Sequence, residues 1–123
     1  MFVPLVENGY ADSRVTRIIA EEYLAEIKEN NVDTLILGCT HYPLLKSVIG
    51  EIMGEDVTLI DSGAAAADFA FEQLKSRDML SDKIGGNYNY YVSDSTADFA
   101  KLGGMFLTRP IDENVGKIDI ERY

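Results

Sequence analysis

Short apolar runs alternate along this chain with longer stretches in which apolar residues recur periodically. Residues 2–6 form a short apolar run followed by turn residues, which predicts a strand and a loop. Between residues 15 and 27 the apolar positions recur near a period of 3.6, which predicts a helix. Asp12 or Ser13 would cap the start of this helix, and Asn30 and Asn31 would end it.

The same order of strand and helix recurs three times. Residues 34–37 predict a buried strand, and Pro43 opens a helical stretch that Gly54 ends. The two later strand and helix pairs are residues 57–60 with 64–74, and residues 88–92 with 96–106, while residues 117–120 predict a weaker last strand. This alternation predicts an α/β fold with a mainly parallel sheet covered by helices on both faces.

Ligands of such folds bind at the carboxyl ends of the parallel strands. Several polar residues follow predicted strands and are therefore candidates for a site: Glu7, Cys39, Asp61, Ser62, Ser93 and Asp94. Asp61 and Ser62 are better explained as the cap of the helix that follows them.

Composition narrows the classes of function. A net charge of -10 repels both nucleic acid and anionic membrane surfaces, so neither is expected as a partner. No apolar run approaches the roughly 20 residues of a membrane span, and Met1 is not followed by a signal-peptide pattern, which favours the cytoplasm. One Cys and one His cannot supply the usual ligands of a structural zinc site, so we expect no metal.

Cys39 lies between a predicted strand and a predicted helix. Backbone amides and the positive end of the helix dipole would favour a thiolate there, and His41 is close enough in sequence to assist it. A lone cysteine is otherwise most often a buried structural residue.

Residues 38–45 read GCTHYPLL, which resembles the second catalytic-cysteine motif of glutamate racemases. Residues 2–9 (FVPLVENG), 58–63 (TLIDSG) and 90–95 (YYVSDS) also resemble stretches of that family, in the same order. The resemblance covers most of this chain, but it extends only over the C-terminal part of the family's proteins.

The resemblance implies a role for each of four residues. Cys39 would exchange a proton with the α-carbon on the face presented by L-glutamate, and Thr40 and His41 would bind substrate. His41 would also assist the Cys39 thiol, and Glu7 would adjust the electrostatics of the site. Without the resemblance, Glu7 is an exposed turn residue and His41 a capping or core residue.

The resemblance also implies a division of the chain. Residues 1–86 would be the part of the catalytic domain that carries Cys39, and residues 87–123 would pack toward the family's amino-terminal domain. That absent amino-terminal portion, which supplies the other catalytic cysteine, is an expected partner, and a homodimer is possible.

The expected activity is cofactor-independent racemisation of glutamate. No lysine suitable for a Schiff base lies near Cys39, so no cofactor is expected. Two alternatives stay open: an aspartate or other amino-acid racemase of the same superfamily, and a non-catalytic remnant or interaction module. Aspartate racemases tend to carry an acidic residue at the position of His41, which favours glutamate.

Overall fold

The structure of the protein is a computed structural model that describes residues 1–122. Its helices and strands follow one another in the order α1 (Phe2–Glu7), α2 (Arg14–Glu29), β1 (Thr34–Leu37), α3 (Lys46–Met53), β2 (Thr58–Asp61), α4 (Ser62–Ser76), β3 (Tyr90–Val92), α5 (Thr96–Leu107) and β4 (Val115–Lys117). Short 3₁₀ helices occur at Tyr42–Leu45, Asp112–Asn114 and Ile120–Arg122. None of the helices in the described part of the chain is long and apolar enough to cross a membrane.

The chain forms two compact units, the first from Met1 to Leu80 and the second beginning at Ser81. Each unit contains a two-stranded parallel sheet, β1 with β2 in the first and β3 with β4 in the second. The α/β fold with parallel strands, predicted from the alternation of apolar patterns, is confirmed.

The core of the first unit lies on one face of its sheet. Leu37 is 2% exposed, and Leu59 of β2 lies directly beneath α3, where Gly50 approaches it. Because successive side chains of a strand point to opposite faces, Ile36 and Ile60 point to the face of the sheet opposite α3. They remain 63% and 36% exposed.

Helix α2 is the longest element of the first unit and follows its predicted boundaries. The Ser13 hydroxyl accepts a hydrogen bond from the amide of Thr16, as expected of an N-cap. Asn30 ends the helix. Buried residues Thr16, Ala20 and Leu24 recur at intervals of four, which is the spacing of one helix face.

In the second unit, α5 packs against β4 and the 3₁₀ helix at Asp112–Asn114. Gly103 allows this approach, because a Cβ atom at this position would lie 2.6 Å from Ile111 Cδ1. The Ser95 side chain accepts a hydrogen bond from the Asp98 amide and caps α5.

The prediction of a strand at residues 2–6 is wrong, because these residues form α1. Pro4 lies in the first turn of the helix, where its missing N–H is not needed. The last strand begins two residues earlier than predicted: β4 is Val115–Lys117, and Ile120 begins a 3₁₀ helix.

Candidate functional site

Cys39 lies in the turn between β1 and the 3₁₀ helix that precedes α3. The buried Leu37 and Leu45 hold the two sides of this turn, and the amide of Tyr42 donates a hydrogen bond to the Cys39 carbonyl at 3.1 Å. Helix α3 begins only at Lys46, so the element that directly follows Cys39 is a 3₁₀ turn and not the α-helix predicted from Pro43. The thiol is partly exposed, as access to a ligand requires.

His41 connects Cys39 with a carboxylate. Its Nδ1 lies 4.0 Å from Cys39 Sγ and 3.2 Å from Thr40 Oγ1. Its Nε2 lies 3.4 Å from Glu7 Oε1. The structure thus brings together all four residues predicted for the site.

Helix α1 positions Glu7. The Phe2 ring packs edge-on against Tyr23 at 5.2 Å and against Tyr42 at 5.6 Å between ring centroids. Val6 is completely buried, so the next residue, Glu7, lies at the rim of the site with its side chain half exposed. Glu7 was expected at the end of a strand, whereas it is the last residue of a helix.

The two nitrogens of a neutral imidazole have different roles, since one donates a hydrogen bond and the other accepts one. A carboxylate only accepts, so the contact with Glu7 favours the tautomer in which Nε2 carries the proton. His41 Nδ1 is then an acceptor that faces two possible donors, the Cys39 thiol and the Thr40 hydroxyl. This arrangement can take a proton from Cys39 and return it.

Asp61 caps a helix, as the sequence predicts. Its carboxylate accepts hydrogen bonds from the amides of Gly63 and Ala64 at 2.9 and 3.1 Å. The Ser62 hydroxyl donates to the carbonyl of Leu37 at 3.0 Å, which ties α4 to the strand that leads to Cys39. Neither residue contributes directly to the group around His41.

Two residues near the site were missed by sequence reasoning. Tyr42 was treated only as part of the motif, and Tyr23 only as part of a helix, yet together they enclose the ring of Phe2. No sequence signal links Tyr23 to Phe2, because the two are brought together only when α1 packs on α2.

Ser93 and Asp94 belong to the second unit. They line an open pocket of about 830 Å³ together with residues 117–122. Among the residues that the structure describes, no three His, Cys, Asp or Glu side chains are grouped as a metal site would require.

No family model matches this sequence. Curated relatives do: the chain is 47% identical over 108 residues to a glutamate racemase of Geobacter metallireducens, a match that covers 87% of this chain and 40% of the relative. It is 43% identical over 122 residues to a glutamate racemase of Thermoanaerobacter sp. strain X514, with coverage of 99% and 46%. The chain therefore spans less than half the length of these relatives.

The fold has a similar counterpart among solved structures. A glutamate racemase from Francisella tularensis, crystallised in complex with D-glutamate, matches all of this chain and 46% of its own chain with a TM-score of 0.85. The sequence identity over this match is 32%. The chain belongs to the glutamate racemase family and corresponds to the C-terminal part of its longer members.

Proposed function

We propose that this chain supplies one of the two proton-transfer groups of a cofactor-independent glutamate racemase, with Cys39 as the acid and base. The observation that carries the proposal is the position of His41, whose two ring nitrogens lie beside Cys39 Sγ and Glu7 Oε1. The relatives named glutamate racemase, and the D-glutamate bound by the one from Francisella tularensis, support the choice of substrate.

In the proposed step, the Cys39 thiolate removes the proton from the α-carbon of L-glutamate. The product is a neutral thiol and a carbanion at the α-carbon. A second acid on the opposite face then donates a proton to the carbanion and forms D-glutamate. Cys39 is then a thiol, and His41 Nδ1 accepts its proton to restore the thiolate. In the reverse direction, the Cys39 thiol donates its proton to the carbanion and becomes the thiolate.

Thr40 and Glu7 would have supporting roles. The exposed Thr40 hydroxyl is available to a carboxylate of the substrate, and it also contacts His41 Nδ1. Glu7 orients the imidazole through Nε2 and stabilises a positive charge on it when Nδ1 accepts a proton. Glu7 is therefore proposed as a positioning residue.

In the family the second acid is another cysteine, and this residue would come from outside this chain, since Cys39 is its single cysteine. The amino-terminal portion of a racemase is the proposed source, and a homodimer and a cytoplasmic location remain parts of the proposal. The enzyme would provide D-glutamate for bacterial peptidoglycan.

A chimera tests the proposal. It joins the part of the Geobacter metallireducens relative that precedes the matched stretch to this complete chain. In deuterated buffer the chimera should convert L-glutamate to D-glutamate with deuterium at the α-carbon. C39A should abolish the conversion, and S76A at the end of α4 should leave it unchanged.

Aspartate supplied to the same chimera distinguishes the first alternative. Faster α-deuteration of aspartate than of glutamate would assign the chain to a different racemase of the superfamily. A folded chimera that deuterates neither amino acid would support a non-catalytic remnant. Full activity in C39A would contradict the proposed role of the thiol.

A further inference from the structure

A hydrogen bond joins the start of α4 to the strand that leads to Cys39. The Ser62 hydroxyl donates to the carbonyl of Leu37 at 3.0 Å, two residues before Cys39. We propose that Ser62 is a positioning residue that fixes the turn of Cys39 beside His41. This inference rests on the proposed function for the role of Cys39, and one of its two measurements does not depend on that role.

The position of the Ser62 hydroxyl is not explained by capping of α4. The Asp61 carboxylate already accepts hydrogen bonds from the amides of Gly63 and Ala64 at 2.9 and 3.1 Å. Serine hydroxyls near helix ends commonly bind the backbone of their own helix, whereas this one donates to a strand. The bond lies directly beyond Leu37 and Asp61, the last pair of the parallel register, and it extends the connection between the strands toward the site.

Gly38 is the one residue between Leu37 and Cys39, and side-chain packing does not hold it. Apart from its two neighbours in the chain, no atom in the described part of the protein would lie within 4 Å of a Cβ added to it. The path of the backbone into Cys39 therefore depends on hydrogen bonds. The peptide unit that joins Leu37 to Gly38 has both polar groups bound, its carbonyl by Ser62 and its N–H to the carbonyl of Ile36 at 3.1 Å. Loss of the Ser62 hydroxyl removes one of these two bonds.

The contact between Cys39 and His41 tolerates little displacement. Cys39 Sγ lies 4.0 Å from His41 Nδ1, which is already long for a hydrogen bond that involves sulfur. After Cys39 the turn is fixed by the Tyr42 amide, which donates to the Cys39 carbonyl at 3.1 Å. Since misplacement of a reacting group by about 1 Å can slow a reaction by about 100-fold, a shift at the Leu37 end of the turn would weaken proton transfer.

Three substitutions of Ser62 and one control isolate the effect of its hydroxyl. S62A removes the hydroxyl, S62T keeps it, and S62V has the shape of S62T without it. The control S76A removes a hydroxyl at the other end of the same helix, where Ser76 donates to the carbonyl of Gln73, also at 3.0 Å. All four variants retain the Asp61 cap of α4, so each should fold.

The first measurement is the NMR signal of the imidazole in the isolated chain, which needs no further assignment because His41 is the single histidine. The Nδ1 chemical shift responds to a nearby hydrogen-bond donor, so C39A, which lacks the thiol, defines the full change. S62A and S62V should produce at least about half of that change, and S62T and S76A less than about a tenth. A role in stability alone would lower the melting temperature and leave the signal of the folded chain in place.

The second measurement is turnover in the chimera with the Geobacter metallireducens portion. S62A and S62V should lower turnover of L-glutamate by at least about 5-fold, because Cys39 is displaced from its proton-transfer partner. S62T and S76A should remain within about twofold of the unaltered chimera. Restoration by threonine, but not by valine of the same shape, would assign the effect to the hydroxyl.

Imidazole signals of S62A and S62V that match S76A would overturn the inference, and so would turnover in S62V equal to that in S62T. If S62A and S62V do not fold while S62T does, the hydroxyl serves the fold and the inference is also wrong. C39A separates this inference from the proposed function. Full activity in C39A would refute the role of the thiol, whereas the imidazole signals would still decide whether Ser62 positions the turn.

Discussion

His41 is held on three sides, by Cys39 and Thr40 at one ring nitrogen and by Glu7 at the other. Its side chain is only 20% exposed, which keeps the ring in one orientation. A substitution that retains size but cannot exchange a proton near neutral pH separates its chemical role from its packing role.

We therefore expect H41N, in the chimera, to reduce turnover of L-glutamate by at least about 10-fold, because Cys39 loses its proton-transfer partner. Turnover of D-glutamate should fall less, since Cys39 acts there in the protonated form. Initial rates in both directions, with the melting temperature of each variant, measure this. Equal losses in the two directions, or a large loss of stability, would contradict the assignment.

A second residue-scale prediction concerns the ion pair between Arg17 of α2 and Glu51 of α3. The hydrogen bond and charge of Arg17 lower the pKa of Glu51 below its ordinary value of 4.5. A carboxylate with a lowered pKa in the folded state stabilises the protein above its unfolded-state pKa, and this contribution is lost as pH falls through the folded-state pKa.

E51Q should therefore melt at a slightly lower temperature than the unaltered chain at pH 7, and the two should converge as pH falls below 4.5 toward the lowered pKa of Glu51. The difference is small because both side chains are exposed and solvent screens the pair. Thermal melts at several pH values, repeated at high salt, test it. A difference that grows toward low pH would show that the pair does not stabilise the fold.

At the scale of elements, Gly50 inside α3 and Gly54 at its end differ in whether their backbone conformation tolerates a Cβ atom. Gly54 ends the helix with a φ of 93°, which strains any residue with a Cβ atom. Gly50 lies inside the helix, where an added Cβ would make an ordinary contact of 3.6 Å with Leu59 Cδ1.

G54A should lower the free energy of unfolding by about 1 kcal/mol, and G50A should raise it by about 0.5–1 kcal/mol. Chemical denaturation of both variants beside the unaltered chain measures the two changes. The pair is its own control, since the same substitution is made inside α3 and at the residue that ends it. Changes of the same sign at both positions would be inconsistent with the backbone argument.

Elements with a strong local pattern were predicted well from the sequence. The apolar period and Ser13 predict the start of α2, and the aliphatic run at Thr34–Leu37 predicts β1. The run at residues 2–6 predicts a strand instead of helix α1 because four apolar residues and one proline show no helical period. Its conformation depends on packing of Phe2 against Tyr23 and Tyr42, which are distant in sequence.

In the candidate site too, contacts between sequence neighbours follow from the sequence, whereas the distant contact does not. Cys39, Thr40 and His41 are neighbours in sequence, so their proximity follows from the turn between β1 and the 3₁₀ helix. Glu7 lies 34 residues before His41, and no periodicity or spacing predicts their contact. It depends on the burial of Val6 and Phe2, which fixes where α1 ends.

For the whole molecule, the presence of a single cysteine thiol limits the reaction that the chain can carry out alone. Inversion at the α-carbon requires proton donors on two faces, and this chain contains one cysteine. We expect the isolated chain to form no D-glutamate. Exchange of the α-proton with retention of configuration is the most that a single thiol could achieve.

Incubation of the isolated chain with L-glutamate in deuterated buffer tests this expectation, with optical rotation and α-deuteration followed together. C39A provides the background rate. D-glutamate formed by the chain without a partner would refute the expectation, because a second acid would then have to exist among its own residues.

The parallel pairing of β1 with β2 bears on the order in which the site assembles during folding. Thr34 pairs with Thr58 and Leu37 with Asp61, so the strand register closes a loop of about two dozen residues. The Cys39 turn lies inside that loop and must adopt its shape as the strands pair. Cys39 and His41 are two residues apart within this turn, whereas the Glu7 contact with His41 also requires α1 to pack against the rest of the unit. Cys39 and His41 should therefore meet early in folding, and Glu7 should complete the group only when the amino-terminal helix docks.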